Sequence, residues 1–593
     1  MRQPQLPVRS WLRLTLVLVL PVLPGAELHA QSSAAGDGFV PVTAAMLENP
    51  APGDWLMWRR TLDGWGYSPL DQIDRANVGR LQLVWSRAMT AGSQQGTPLA
   101  YGGVLYLPNP GDVIQAIDAA TGDLLWEHRR PVPDGIESHL LGPLAHTNRN
   151  IAIYDTLIID TSVDDHVFAL DARTGEPVWE TRILDYTVHP ATQTSGPIVA
   201  DGKVISGRSC MPAGGPDACV ITAHDALTGA ELWRRRTIPA PGEPGDETWG
   251  GVPFEERLHV GAWMVPSFDP DLDLVYIGTS VTSPAPKFLI GGNDNAHLYH
   301  NSTLALDADT GDIAWYYQHL NDHWDLDHPF ERLLVDTPVA PDPEVVSWIN
   351  PDLRPGETRR VVTGIPGKTG VVYTLDRETG EFLWATPTVG QNLISDIDGG
   401  TGAVTENAEV VFSQLGQEVL VCPMAAKDWE AGAYSPLTNT MYYPLRNACA
   451  RLLATREGGL AMYALAFRMQ ISPGTDQVGT VHAVSAETGR TAWTHEQRSA
   501  TMSLVATGGG LVFVGDVAGR FRALDHETGE VLWEINLGSP LTGFPITYAV
   551  DGTQYVAAST GTSVTTSAFG GLTPEVRPSA GNNIFVFALP DRR

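Results

Sequence analysis

Asp171-Ala-Arg-Thr-Gly-Glu-Pro-Val-Trp179 is one copy of a unit, D-x-x-T-G-x-x-x-W, that begins again at Asp118, Asp225, Asp307, Asp376, Ser485 and Asp525. Alternating apolar residues before the Asp, as in Val167-Phe-Ala-Leu170, read as a strand. Asp-x-x-Thr-Gly then predicts a tight turn, with the Asp side chain bonding nearby N–H groups and Gly at positive φ. A second strand carries the Trp. Further strands such as Gly103-Val-Leu-Tyr106, Leu274-Val-Tyr-Ile277 and Gly510-Leu-Val-Phe-Val514 recur between copies, and no comparably regular helical pattern follows residue 30. Short strands with Gly/Asp turns, repeated this often, indicate an all-β chain folded as a β-propeller of six to eight blades. A Trp at the same place in each blade packs into the neighbouring blade, a structural role.

The copies are unevenly spaced, from 40 residues (485 to 525) to 109 (376 to 485). The longest interval leaves room for a degenerate eighth copy around Pro436-Leu-Thr-Asn-Thr-Met-Tyr-Tyr443. Leu81-Gln-Leu-Val-Trp85 near the N-terminus and Asn583-Ile-Phe-Val-Phe-Ala588 near the C-terminus are expected to build one blade together, which closes the circle without a free edge. Long insertions at roughly 239–260, 281–300 and 340–360 are loops on which a functional face is expected.

Arg2, Arg9 and Arg13 flank an apolar run, Leu14 to Leu23, ahead of a cleavage point after Ala30. The pattern predicts a secretory leader over residues 1–30 and a single propeller domain over 31–593, exported to the periplasm without a membrane anchor. Net charge is −30, from 68 acidic and 38 basic residues, which speaks against nucleic acid or an anionic membrane as partner. Four cysteines in an exported chain predict two disulfides, and proximity pairs Cys210 with Cys219 and Cys422 with Cys449. No C-x-x-C-H occurs in the sequence, so no c-type haem attachment is expected on it.

Ionisable residues concentrate once, in Asn321-Asp-His-Trp-Asp-Leu-Asp-His-Pro329, although only 18% of the chain is charged. An arbitrary D-x-D is usually a solvated loop; this one leaves a strand of the repeat, where sites are built. His297-Leu-Tyr-His300, in a Gly-rich loop, reads as loop structure ahead of metal ligation.

The repeat, His323-Trp-Asp-Leu-Asp327, Asp54-Trp-Leu-Met-Trp58, Tyr67-Ser-Pro-Leu70, Gly370-Val-Val-Tyr-Thr-Leu-Asp-Arg377 and Gly543-Phe-Pro-Ile-Thr-Tyr548 resemble the pyrroloquinoline quinone (PQQ) dependent alcohol dehydrogenases. The resemblance implies an eight-bladed propeller with the quinone near its axis. It assigns the catalytic base to Asp325 and places Asp327 beside it in the metal shell. Trp263, ahead of Ser267-Phe-Asp-Pro270, becomes the residue on which the quinone stacks. Lys368 of Gly367-Lys-Thr-Gly370 becomes the contact to the quinone carbonyl, and Arg149 of Asn148-Arg-Asn150 the contact to its carboxylates. Thr161 or Ser162 supplies a hydroxyl, while Gln95 and Asp428 stand where the family has a Glu and an Asn near the cofactor.

Three family features are missing. Leu140-Leu-Gly-Pro-Leu144 stands where an adjacent cysteine pair is common, Ser209-Cys210-Met-Pro212 replaces a Ser-Gly-x-Glu whose Glu binds metal, and Gly278-Thr-Ser-Val-Thr-Ser-Pro-Ala-Pro286 lacks an Asn ligand. Asp325 and Asp327 with quinone oxygens are then expected to hold the metal, Ca²⁺ ahead of a lanthanide. The implied reaction is proton transfer from an alcohol to Asp325 and hydride transfer to the quinone, with a nearby cation keeping Asp325 ionised. The substrate expected is a bulky or secondary alcohol, and the electron acceptor a separate soluble cytochrome c. The competing reading is a non-catalytic periplasmic scaffold or assembly factor built from the same repeats.

Overall fold

A computed structural model describes residues 38–140, 142–456 and 461–590. Contacts divide the chain into Met1–Phe39 and Val40–Arg593; the leader assigned to residues 1–30 lies outside the described residues. The second unit is all-β. Eight sheets of four or five strands occur along it, lettered A (residues 99–129), B (152–182), C (198–236), D (267–318), E (333–387), F (433–497), G (501–536) and H (546–588). Within A to D the four strands run in simple antiparallel succession, as a propeller blade does. Gln82–Ala88 completes sheet H by pairing with Asn583–Ala588, so both ends of the chain share one sheet as expected.

The turns form as the sequence predicts. Asp118 Oδ1 accepts from the N–H groups of Ala120 (3.0 Å) and Thr121 (2.8 Å), and Asp307 repeats the pattern on Asp309 and Thr310. The Gly of each copy has positive φ, +73° at Gly175. That glycine is also the floor on which the preceding sheet's Trp lies. A Cβ at Gly175 would stand 2.5 Å from the Trp126 ring, and one at Gly529 2.5 Å from Trp493. Trp85, Trp179, Trp233, Trp315 and Trp384 meet Gly122, Gly229, Gly311, Gly380 and Gly489 in the same way. In five of these contacts the indole N–H donates to the residue after the turn Asp: Trp85 to Ala119, Trp126 to Ala172, Trp233 to Ala308, Trp315 to Arg377 and Trp493 to His526. Trp533 of sheet G meets Phe587 of sheet H edge-on at 5.4 Å between centroids.

One expectation needs correction. Residues 436–443 are no eighth copy of the turn; they span the hairpin between Ala433–Ser435 and Thr440–Arg446, which opens sheet F. Sheet H has no such copy because its outer strand comes from the other end of the chain. Conversely, Asp398-Gly-Gly-Thr-Gly402 builds a true D-x-x-T-G turn, with Asp398 Oδ1 accepting from Thr401 N–H (2.8 Å), in a hairpin that carries no Trp. Beyond the eight, Glu418–Val421, Ala448–Ala454 and Leu465–Ile471 form a three-stranded sheet. Its inner face (Val419, Val421, Ala450, Leu452) joins the core of sheets D and E. The Cys422–Cys449 disulfide ties it together, and Cys210–Cys219 closes a short loop after sheet C's second strand.

The docking geometry makes a stability prediction. Gly175→Ala adds a positive-φ penalty and a clash with Trp126, and should cost about 2–4 kcal/mol. Gly390→Ala, where a Cβ meets nothing within 4 Å, should change stability by less than about 0.5 kcal/mol. Thermal melting of the two variants checks the contrast.

Candidate functional site

The segment that follows sheet D is organised by Asp322. Its two carboxylate oxygens accept from the N–H groups of Trp324 (2.6 Å) and Leu326 (2.5 Å), the residues on either side of Asp325. Asn301 Nδ2 adds a third bond at 3.1 Å, and the Asp322 N–H itself donates to His300 Nε2 (3.1 Å). The fully buried Trp324 anchors the loop through its indole N–H to the Val410 carbonyl (2.7 Å). Held between these bonds, Asp325 takes φ +69°, a left-handed conformation that few residues other than Gly, Asn and Asp adopt. His297 places its ring nitrogens against the Asn295 and Ile290 carbonyls of its own loop (2.7 Å each), while His300 lies against the His297 carbonyl (3.0 Å) and accepts the Asp322 N–H.

Lys368 joins the two aspartates. Its Nζ lies 3.0 Å from Asp325 Oδ1 and 3.2 Å from Asp327 Oδ2, and its N–H donates to the Asp327 carbonyl at 2.9 Å. Asp327 Oδ1 also accepts from Val281 N–H (2.9 Å). The two carboxyls therefore differ. Burial pushes Asp325 well above the ordinary carboxylate range; Lys368 opposes the rise, and Asp327 and Asp322 add to it. Burial also works against Asp327, yet Lys368 and the Val281 N–H hold it below its ordinary value. Burial would lower the Lys368 ammonium, and the two aspartates outweigh it, keeping it well above the usual lysine value. One lysine is thus shared by two buried carboxyls.

These three residues line a cavity of about 210 Å³. Gln95, Arg149, Trp263 and Asp428 line it too, so the structure gathers them as the sequence reading expected. The Arg149 guanidinium carbon sits 5.1 Å from the Trp263 ring centroid and 6.0 Å from that of Trp429. Its Nη1 donates to the carbonyl (3.0 Å) and hydroxyl (2.6 Å) of Thr194. Burial pulls this guanidinium down to about 10 against the attraction of Asp428 and Glu430.

Thr161 and Ser162 do not line the cavity. They lie at the end of strand Leu157–Thr161 and in the turn after it, where the Ser162 hydroxyl donates to Asp164 Oδ1 (2.5 Å) and accepts from His166 N–H (3.0 Å). The hydroxyl-bearing residues that line the cavity include Thr192, Thr194 and Ser209, one sheet further along the chain, together with Thr147 and Thr565. Trp429, Met462 and Tyr463 also line it and were missed; no repeat marks them, although Trp429 is adjacent to Asp428.

The lining suits PQQ: an indole, a buried cation, and two buried polar atoms, Arg149 Nε and Gln95 Oε1, without a partner among the described residues. For a metal the donor type suits a hard cation, since Asp325 and Asp327 offer oxygen. The donor number is short: among the described residues no third His, Cys, Asp or Glu completes a set.

Residues 55–390 and 475–556 match a family model described as PQQ: Glucose/ethanol/alcohol dehydrogenase, beta-propeller domain. Quinohemoprotein alcohol dehydrogenase ADH-IIG of Pseudomonas putida is 31% identical, over 95% of this chain and 79% of that protein. A solved structure of that enzyme superposes with a TM-score of 0.80 at 28% identity, over 94% of this chain and 85% of that one. A europium-containing methanol dehydrogenase does so with 0.80 at 26% identity, over 92% and 100%. The 1-butanol dehydrogenase (cytochrome c) of Thauera butanivorans is 28% identical, over 91% and 78%.

The cavity makes a binding prediction. Trp263→Ala and Arg149→Met should each weaken PQQ binding by at least about tenfold, as read by tryptophan fluorescence titration. Thr161→Val, off the cavity, should leave it within about twofold.

Proposed function

We propose a specific reaction for this chain, which belongs to the PQQ-dependent glucose/ethanol/alcohol dehydrogenase family and is a PQQ-dependent alcohol dehydrogenase. It oxidises a bulky or secondary alcohol to the carbonyl compound, with Asp325 as the base that takes the hydroxyl proton. The observation that carries this reading is the buried Asp325–Lys368–Asp327 group in one cavity with Trp263 and Arg149. When bound, PQQ supplies an electron-poor quinone that accepts the hydride equivalent from the alcohol carbon.

Each residue has a task that its environment fits. Trp263 offers an aromatic face and Arg149 a desolvated cation to a flat, carboxylated ring system. Gln95, Asp428 and Thr194 add polar contacts at the same wall. Asp325, whose carboxyl burial pushes well above the ordinary range against the pull of Lys368, is suited to accept a proton and later release it. Lys368 stays charged and aims its ammonium at the base. Asp327, the more acidic of the pair, together with Asp325 would hold a cation, Ca²⁺ ahead of a lanthanide, with quinone oxygens making up the shell. The bulk of the substrate is inferred from Leu144, Met462 and Val564 on the cavity wall and the missing cysteine pair.

We read the eight sheets as the eight blades of a closed ring, supported by the succession of Trp contacts from Trp85 through Trp533 to Phe587 in the sheet that holds Trp85. Export to the periplasm rests on the leader pattern at residues 1–30. Transfer of electrons to a separate cytochrome c is supported by the cytochrome c in the name of the Thauera butanivorans 1-butanol dehydrogenase. No helix among the described residues is long and apolar enough to cross a membrane.

Two measurements test the base. Asp325→Asn should retain PQQ, seen as quinone absorbance on the purified protein, while alcohol turnover with an artificial acceptor falls about a hundred- to ten-thousandfold; near-normal turnover removes Asp325 from the role. In the unmodified enzyme kcat/KM should fall on the acid side as the raised Asp325 carboxyl becomes protonated. Lys368→Met removes the cation that favours its carboxylate, so the acid limb should move to higher pH. A limb that stays in place would assign it to another group.

A further inference from the structure

Residues 391–474 lie between the two stretches that match the family model, and they include the three-stranded sheet. The turn Ala461–Tyr463, ahead of that sheet's last strand, delivers Tyr463 to the cavity wall that also presents Asp325, Asp327 and Lys368. Two bonds seat this turn on the loop after Leu274–Gly278: the Ser283 hydroxyl donates to the Met462 carbonyl, and the Ala285 N–H to the Tyr463 carbonyl at 3.1 Å. The Tyr463 ring packs edge-on against His259, 5.3 Å between centroids.

The direction of the bond between these two side chains follows from their partners. His259 Nδ1 lies against the Cys210 carbonyl, which can only accept, so Nδ1 carries the ring proton. His259 Nε2, 3.0 Å from the Tyr463 hydroxyl, is then the acceptor, and Tyr463 O–H the donor. Burial pulls His259 below the ordinary histidine value, consistent with one proton on the ring. The phenol oxygen is left with acceptor capacity only. Lys368 does not use it, being engaged by Asp325 Oδ1, Asp327 Oδ2 and the Asp325 carbonyl. Among the described residues no hydrogen-bond donor reaches that oxygen.

We propose that Tyr463, oriented by His259, is a specificity-determining residue whose phenol oxygen accepts a hydrogen bond from a second hydroxyl group of the substrate. The inference rests on the alcohol-oxidising reading above: the reacting hydroxyl gives its proton to Asp325, so the donor at Tyr463 is another group. The favoured substrates are therefore diols and other polyhydric alcohols. A site that presents an acceptor to a substrate hydroxyl discriminates against the analogue that lacks it, because the buried oxygen is then left unpaired.

The test compares 1-butanol with 1,2-butanediol and 1,4-butanediol on PQQ-loaded enzyme, with and without Tyr463→Phe, which keeps the ring and removes the oxygen. The unmodified enzyme should favour at least one diol over 1-butanol in kcat/KM, and Tyr463→Phe should reduce that preference about tenfold. Its kcat/KM for 1-butanol should fall by clearly less than that for the favoured diol, and quinone absorbance should show PQQ still bound. A preference untouched by Tyr463→Phe, no preference for either diol, or an equal loss on all three alcohols overturns the role of Tyr463 while leaving the enzyme an alcohol dehydrogenase. An unmodified enzyme that binds PQQ and oxidises no alcohol of a wider panel removes the reading on which the proposal stands, and the proposal with it.

Discussion

An indole can lie flat on a backbone only where that backbone carries no Cβ. The glycines that close the D-x-x-T-G turns meet this condition, and positive φ at the same residues makes the turn possible. One residue type thus serves a local need and a long-range one. The contact recurs from sheet to sheet, and the site depends on it, since no single sheet contains the site. Arg149 precedes sheet B, Thr194 precedes sheet C, Trp263 precedes sheet D, and Asp325 lies between D and E. Lys368 comes from within E and Asp428 from just before F. Their convergence on one cavity is a consequence of how the sheets are docked.

Within that frame the cavity's charged group has a particular charge balance. Two buried ion pairs elsewhere are matched one to one: Lys427 with Glu331 at 2.6 Å, and Arg446 with Glu430, all four side chains without solvent exposure. Asp325 and Asp327 share a single lysine, with the buried Asp322 carboxyl three residues before the first of them contributing further negative charge. With both carboxyls ionised such a group carries net negative charge, and either a proton or a second cation restores the balance. Of the two carboxyls Asp325 is pushed up and Asp327 held down, since Asp327 has the Val281 N–H as an additional donor. On the reading proposed above, the same imbalance suits Asp325 to the role of base and the pair to holding a hard cation. Asp322 acts on both, since its bonds to the N–H groups flanking Asp325 hold the left-handed turn.

Much of this was legible before any coordinates. The seven repeats identify the propeller because each repeats the same turn chemistry and the same Trp, and the pairing of residues 81–85 with 583–588 follows from the need to leave no open edge. The gathering of Asp325, Asp327, Lys368, Trp263 and Arg149 was carried by motif resemblance. Thr161 and Ser162 were misplaced because a hydroxyl contact has no spacing signature; the cavity takes its hydroxyls from Thr192 and Thr194 instead. The hairpin at 394–406 and the sheet built from 418–471 escaped notice for a related reason. Neither contains the Trp that marks a blade, and the second is held by a disulfide and by burial against sheets D and E, which local sequence does not announce. Tyr463 arrives on that sheet, so the part of the pocket wall most particular to this chain was the least readable.

The central claim is that the cavity between Trp263 and the Asp325–Lys368–Asp327 group is the PQQ site. A crystal structure of the PQQ-loaded protein tests it most directly. The account predicts density for the quinone lying against the Trp263 ring, its carboxylates toward Arg149 and its reactive edge toward Lys368 and Asp325. Density for the cofactor outside this cavity, or bound within it with no contact to Trp263 and Arg149, would contradict it.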